Sequence, residues 1–134
     1  MSHNNTFVFI AGPYSAPDGG HDATYYYEID KNINKARRWA TKLAESEIPF
    51  FCPHLNSAHM EVLAPNTPPS FWYQMDMVLL ERASAVLLIP GWQESTGARA
   101  EKKRAEQLNI PCFTFDVWYE LVDFWSAGAS RKEN

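Results

Sequence analysis

The 134-residue chain has only two cysteines and no apolar run long enough to cross a membrane. Cys52 and Cys112 are far apart, each in or beside an expected strand. Buried free thiols of a cytosolic protein are therefore expected, and no disulfide framework. The run at residues 7–11 is too short for a signal-peptide core or a membrane span, so a cytoplasmic protein is expected. A formal net charge of −4 leaves no basic excess for broad nucleic-acid binding through phosphates. G-x-G-x-x-G and G-x-x-x-x-G-K-[ST] are both absent, so neither the dinucleotide fingerprint nor the P-loop is supported. H-E-x-x-H is absent too, and no set of three or four ligands stands at metal-site spacing, so no metal or other cofactor is expected. There is no internal repeat, heptad or low-complexity tract.

Apolar residues make up 46% and charged residues 21%, as in a folded globular protein. The length suits one domain spanning residues 1–134, with a sizeable core. Aromatics are high at 14%, which suggests a ring-lined pocket, an oligomer interface, or both.

Residues 85–101 organise the chain. The continuous apolar run 85–89 reads as a strand covered on both faces of a parallel sheet, stopped by Pro90 and Gly91. Glu94, Ser95, Thr96 and Gly97 form a polar turn able to cap a helix over about 98–108. Ala98, Ala105 and Leu108 make its inward stripe, and Glu101 falls on the same stripe. A carboxylate there, just beyond a strand's carboxyl end, is where an open α/β sheet places chemistry. The alternative is an ordinary acid favoured by the helix dipole.

Residues 6–11 form the first strand, ended by Gly12 and Pro13. Tyr14 either packs over the sheet edge or lines a site. The loop 15–22, opening on Ser15 and holding two adjacent glycines, either approaches a ligand or is a solvated connection. Residues 25–46 predict a helix with Ile29, Ile33, Ala36, Ala40 and Leu43 inward and Lys31, Lys35, Arg38 and Lys42 in solvent. Residues 47–52 carry the chain into a second strand. Residues 53–69 read as a long irregular loop, with His54 and Asn56 as hydrogen-bonding groups past a strand end or as loop caps.

Residues 70–83 predict a helix capped by Ser70, with Phe71, Met75, Val78 and Leu79 inward. Trp72 and Asp76, four apart, share one edge, which suits an aromatic ligand or else a core ring beside a surface ion pair. Residues 111–115 are the fourth strand. Residues 117–125 form a short aromatic helix with Trp118, Leu121, Val122 and Trp125 on one side, before a frayed tail over 127–134. The order β-α-β-loop-α-β-α-β-α implies one flavodoxin-like or Rossmann-like α/β domain with a four- or five-stranded parallel sheet.

Phe9-Ile10-Ala11-Gly12-Pro13-Tyr14, Pro53-His54-Leu55-Asn56, Asp76 on its helix, and Ser95-Thr96-Gly97-Ala98-Arg99-Ala100-Glu101 together resemble the nucleoside 2-deoxyribosyltransferase superfamily, including its nucleotide N-glycosidase branch. The resemblance implies that Glu101 is the nucleophile toward the anomeric carbon. It implies that Asp76 assists the departing base and that Tyr14 positions the nucleophile. In the family's transferases an acid takes the sugar 5′-hydroxyl six residues before that glutamate; here Ser95 stands there, as in the nucleotide hydrolases, where a serine contacts a 5′-phosphate. Gly12, Ser15, His54, Asn56, Trp72, Ser95, Thr96 and Gly97 are the corresponding candidates for binding substrate. The helix N-terminus should help keep Glu101 ionised and offer N–H groups to a phosphate. The expected activity is hydrolysis of a nucleoside 5′-monophosphate to free base. The alternatives are deoxyribosyl transfer and nucleotide binding without turnover. The resemblance also implies a homo-oligomer.

Overall fold

In the computed structural model, residues 6–15 and 23–133 are described. Residues 16–22, with the expected glycine loop, lie outside them. The elements run β1 (Val8–Ala11), α1 (Ala23–Glu45), β2 (Phe50–Phe51), α2 (Pro53–Asn56), α3 (Met60–Leu63), α4 (Pro69–Leu80), β3 (Ala85–Leu88), α5 (Thr96–Gln107), β4 (Cys112–Thr114) and α6 (Trp118–Glu133). Short 3-10 turns precede α5 (Trp92–Glu94) and α6 (Phe115–Val117). The sheet has four strands, all parallel, in the order β2-β1-β3-β4. The fold is α/β with helices on both faces, as the alternating pattern requires.

Every residue of β1 and β3 is buried, because both are central strands covered on two sides. Their alternate side chains feed two cores. Val8, Ile10, Leu87 and Ile89 pack with Ala36, Ala40 and Leu43 of α1 and with Leu121 and Trp125 of α6. Phe9, Ala11, Val86 and Leu88 pack with Leu80 of α4 and with Ala98 and Ala105 of α5. The stripe expected on α1 is buried throughout, from Ile29 to Leu43. Among the described residues, no helix is long and apolar enough to cross a membrane.

Five expectations change. The 53–69 segment is not irregular: α2 starts on Pro53, whose fixed φ suits a first helical position, and α3 follows it. Helix α4 begins at Pro69 behind Pro68, so Ser70 is inside it and is not its cap. The inward face of α4 is set by Leu80, with Trp72, Asp76 and Leu79 half-buried, while Phe71 and Val78 are 48% and 57% exposed. Both flanks of this helix are apolar, so sequence alone did not say which one meets the sheet. Last, α6 continues to Glu133 through the stretch expected to fray. Leu108, expected inward, is the C-cap residue of α5 and is 36% exposed.

Candidate active site

In the order β2-β1-β3-β4 the chain leaves β1 toward one edge and β3 toward the other. Ligands of open α/β sheets bind outside the carboxyl ends of strands at such a switch point. The turns that follow β1 and β3 are pressed together there. A Cβ on Gly12 would stand 2.3 Å from Ile89 Cγ1, so only glycine fits against that side chain. Gly91 has φ +92°, a left-handed conformation, and a Cβ there would meet Pro13 Cγ at 3.0 Å. Gly12 thus has a packing role independent of any ligand.

Ser95 caps α5: its Oγ accepts the Ala98 N–H at 3.1 Å. That fixes the helix start and turns Ala98, Glu101 and Ala105 toward the sheet. Glu101 is only 9% exposed. It is the sixth residue of α5, beyond the first turn in which the helix dipole acts. The dipole therefore does not keep it ionised. Burial raises its pKa well above the usual carboxylate value, and the nearby Asp76 raises it further. Asp76, reached from α4, is pushed up to about 6 by burial. Its Oδ1 is buried without a hydrogen-bond partner, as is the indole N–H of Trp72 one turn earlier. The resemblance pairs Glu101 with Asp76, and the fold brings these two acids close enough to act on one another.

Tyr14 faces a different acid. Its hydroxyl donates to Glu61 at 3.0 and 3.1 Å and accepts the His59 N–H at 2.8 Å. Glu61, not Glu101, is its partner. Burial and then the Glu61 charge hold the Tyr14 hydroxyl in its protonated form. The Tyr14 carbonyl accepts from Asn32 of α1 at 3.0 Å, and the His59 ring pairs with Asp30 of α1 at 2.8 Å. His54 is buried and neutral, its pKa lowered by burial. Its Nε2–H donates to the Pro13 carbonyl at 2.9 Å, and Nδ1 faces the Cys52 thiol at 3.8 Å. His54 thus holds the turn after β1, while Asn56 and Ser15 are exposed. Among the described residues, no three His, Cys, Asp or Glu side chains gather as a metal site.

Thr96 and Gly97 are exposed at the start of α5. Nothing but the Ser95 Oγ, at 4.0 Å, stands near the place a Gly97 Cβ would occupy. Arg99 folds back over this turn, donating to the Gln93 carbonyl at 2.7 Å and reaching Thr96 Oγ1 at 3.5 Å. Sequence reading singled out neither Arg99 nor Glu61, nor Trp92, whose indole N–H is buried without a partner. Glu61 is 47 residues from Tyr14, so no local spacing could have found it.

Both cysteines are free thiols, as expected; Cys52 is buried and Cys112 partly so. No curated protein matches the sequence. A family model matches residues 6–115, from β1 to the turn after β4, taking in Tyr14, Glu61, Asp76 and Glu101, and the chain belongs to that family, a domain of unknown function (DUF7768).

Proposed function

We propose that the protein hydrolyses the N-glycosidic bond of a nucleoside 5′-monophosphate and releases the free base. One observation carries the reading: buried Glu101 on α5 lies close enough to half-buried Asp76 on α4 to feel its charge, and burial raises the pKa of each. Burying two acids without a neutralising cation costs stability, so a purely structural role is a poor account of them.

A glycosidic bond breaks through an oxocarbenium-like state that needs an anion at the sugar and a proton for the leaving base. The pair can supply both from one shared proton. Positive charge developing at the anomeric carbon stabilises the ionised form of Glu101 and leaves the proton with Asp76. Asp76 then protonates the base nitrogen as the C–N bond breaks and Glu101 bonds to the carbon. Water attacks that carbon next, Asp76 takes its proton, and Glu101 is released with the sugar phosphate. Trp72 offers a ring face to the base. The free N–H groups of the first turn of α5, with the Ser95 hydroxyl hydrogen, suit a 5′-phosphate. Ser95 can accept from Ala98 and still donate, and its neutrality avoids repulsion that an acid would bring.

The test is incubation with a panel of nucleoside 5′-monophosphates and the matching nucleosides, followed by chromatography for free base. Release from a nucleotide by wild type, but not by Glu101→Gln, supports the reading. No base from any nucleotide overturns it. Base released only when a second base is supplied as acceptor makes the protein a transferase.

A further inference from the structure

Helix α4 is apolar on both sides. Leu80 is buried in the core, with Met77 and Leu79 packed beside it. Phe71, Gln74, Met75 and Val78 stand at i, i+3, i+4 and i+7, on the side of the helix away from Leu80. Met75 is half-buried and the other three are exposed. The spacing is that of a core stripe, but it is turned outward, and a helix apolar all round is ordinarily a buried one. From Val62 to Leu80 the single charged side chain is Asp76, which is half-buried on the edge with Trp72. Loss of charge, with aromatics and Met in its place, marks the core of a protein interface. The Phe71 ring is already set for contact. It meets the Trp72 ring edge to face, with centroids 5.0 Å apart and planes at 84°. Part of its rotamer freedom is therefore lost before anything binds, which lowers the cost of association.

The make-up of the stripe says what covers it. A face without charge has nothing to select a basic or an acidic partner. The net charge of −4 sets the chain against an anionic lipid surface. The stripe does suit its own copy. In a two-fold contact the same patch meets itself, so a charged patch would set like charges face to face. This one has no charge to repel. Side chains near the two-fold axis meet their own copies, and the middle of the stripe falls between Gln74 and Met75. The Gln74 amide both donates and accepts, so two copies of it can pair with each other. The thioether of Met75 fits an irregular apolar gap.

We propose that the outward stripe of α4, Phe71, Gln74, Met75 and Val78, is a two-fold interface with a second copy of this chain, in which the two α4 helices cross at Gln74 and Met75. The contact does not depend on the activity proposed above. A single pair of crossing helices is a small interface, so the dimer should form with micromolar affinity.

The test is sedimentation of the full chain, without ligand, at concentrations up to about 100 μM. Wild type should be a dimer at the upper end. Gln74→Glu and Gln74→Lys each place like charges across the axis, and each alone should weaken self-association about tenfold or more. Gln74 is exposed, so neither change disturbs the core. An equimolar mixture of the two variants sets opposite charges across the axis and should restore the dimer mass. That recovery also shows that both variants are folded, and it belongs to a two-fold contact of this face with itself. Wild type that stays monomeric throughout overturns the proposal. So does a dimer that either variant leaves unchanged, because the contact then lies elsewhere. A mixture no more associated than the separate variants overturns it as well, because Gln74 then does not meet its own copy.

Discussion

Two polar clusters stand at the carboxyl edge of the sheet and follow opposite rules. Around Tyr14, Glu61, His59 and Asp30 the polar groups meet one another, and the cluster is half open to water. Around Glu101, Asp76 and Trp72, Glu101 is buried and the other two are half-buried, and the Asp76 Oδ1 and the Trp72 indole N–H, both shielded from water, have no partner. A partnered cluster near solvent costs little and holds chain segments together. A buried polar group without a partner costs stability instead. Both clusters contain residues that the sequence marked for one site, and the partner of each side chain is what separates them.

The largest effect should fall on the buried cluster. Glu101→Gln should reduce base release by several orders of magnitude, about a thousandfold or more, as removal of a nucleophile does. Tyr14→Phe, which removes hydrogen bonds at the partnered cluster, should cost no more than about a hundredfold. The measurement is kcat on the same nucleotide, and the reverse order of severity would exchange the roles of the two clusters.

The pH dependence of stability sharpens the contrast next. In the folded protein Asp76 is raised from 3.8 to about 6 and Glu101 well above 4.5. Between those unfolded values and the folded ones, the folded state holds more protons than the unfolded chain. Stability is thus highest at acid pH within this window and falls as pH rises toward 6 and beyond. The double variant Asp76→Asn, Glu101→Gln should flatten that decline by roughly 1–2 kcal/mol, allowing for solvent screening. Urea midpoints from pH 4 to 7 measure it. A wild-type profile that is flat or rises with pH would mean the acids are not buried together.

A smaller effect tests the ground on which both clusters stand. Gly12→Ala places a methyl 2.3 Å from Ile89 Cγ1. Overpacking of this kind should lower thermal stability by about 1–3 kcal/mol. Unchanged melting would show that the turns after β1 and β3 are not fixed against each other.

The smallest expected change is at Ser95. Ser95→Ala loses the cap on Ala98 and should cost about 1 kcal/mol of stability. Ser95→Asp keeps a capping oxygen but sets a negative charge against a phosphate, so kcat/KM should shift from nucleotide toward nucleoside. A constant preference would place the phosphate elsewhere or remove it from the substrate.

Much of this molecule was legible in its residues. The run 85–89, the polar turn and the stripe through Ala98, Glu101 and Ala105 are local periodicities, and a period fixes which side chains share a face. The alternation of strands and helices fixed the class of fold by the same logic. The Trp72–Asp76 edge was visible because four residues make one helical turn. The orientation of α4 was not, because apolar residues lie on both its faces and only contact with β1 and β3 selects one.

What only the tertiary structure decided is who meets whom across the chain. That Asp76 and Glu101 press on one another depends on α4 and α5 lying on the same face of the sheet. That Tyr14 grips Glu61 depends on the path of 53–69 back over the end of β1, a path that no spacing encodes. That Gly12 must be a glycine depends on a side chain of another strand's turn. Periodicity acts within one element and can be read from neighbouring residues. Burial and charge coupling act through space, and they exist only once separate elements have packed.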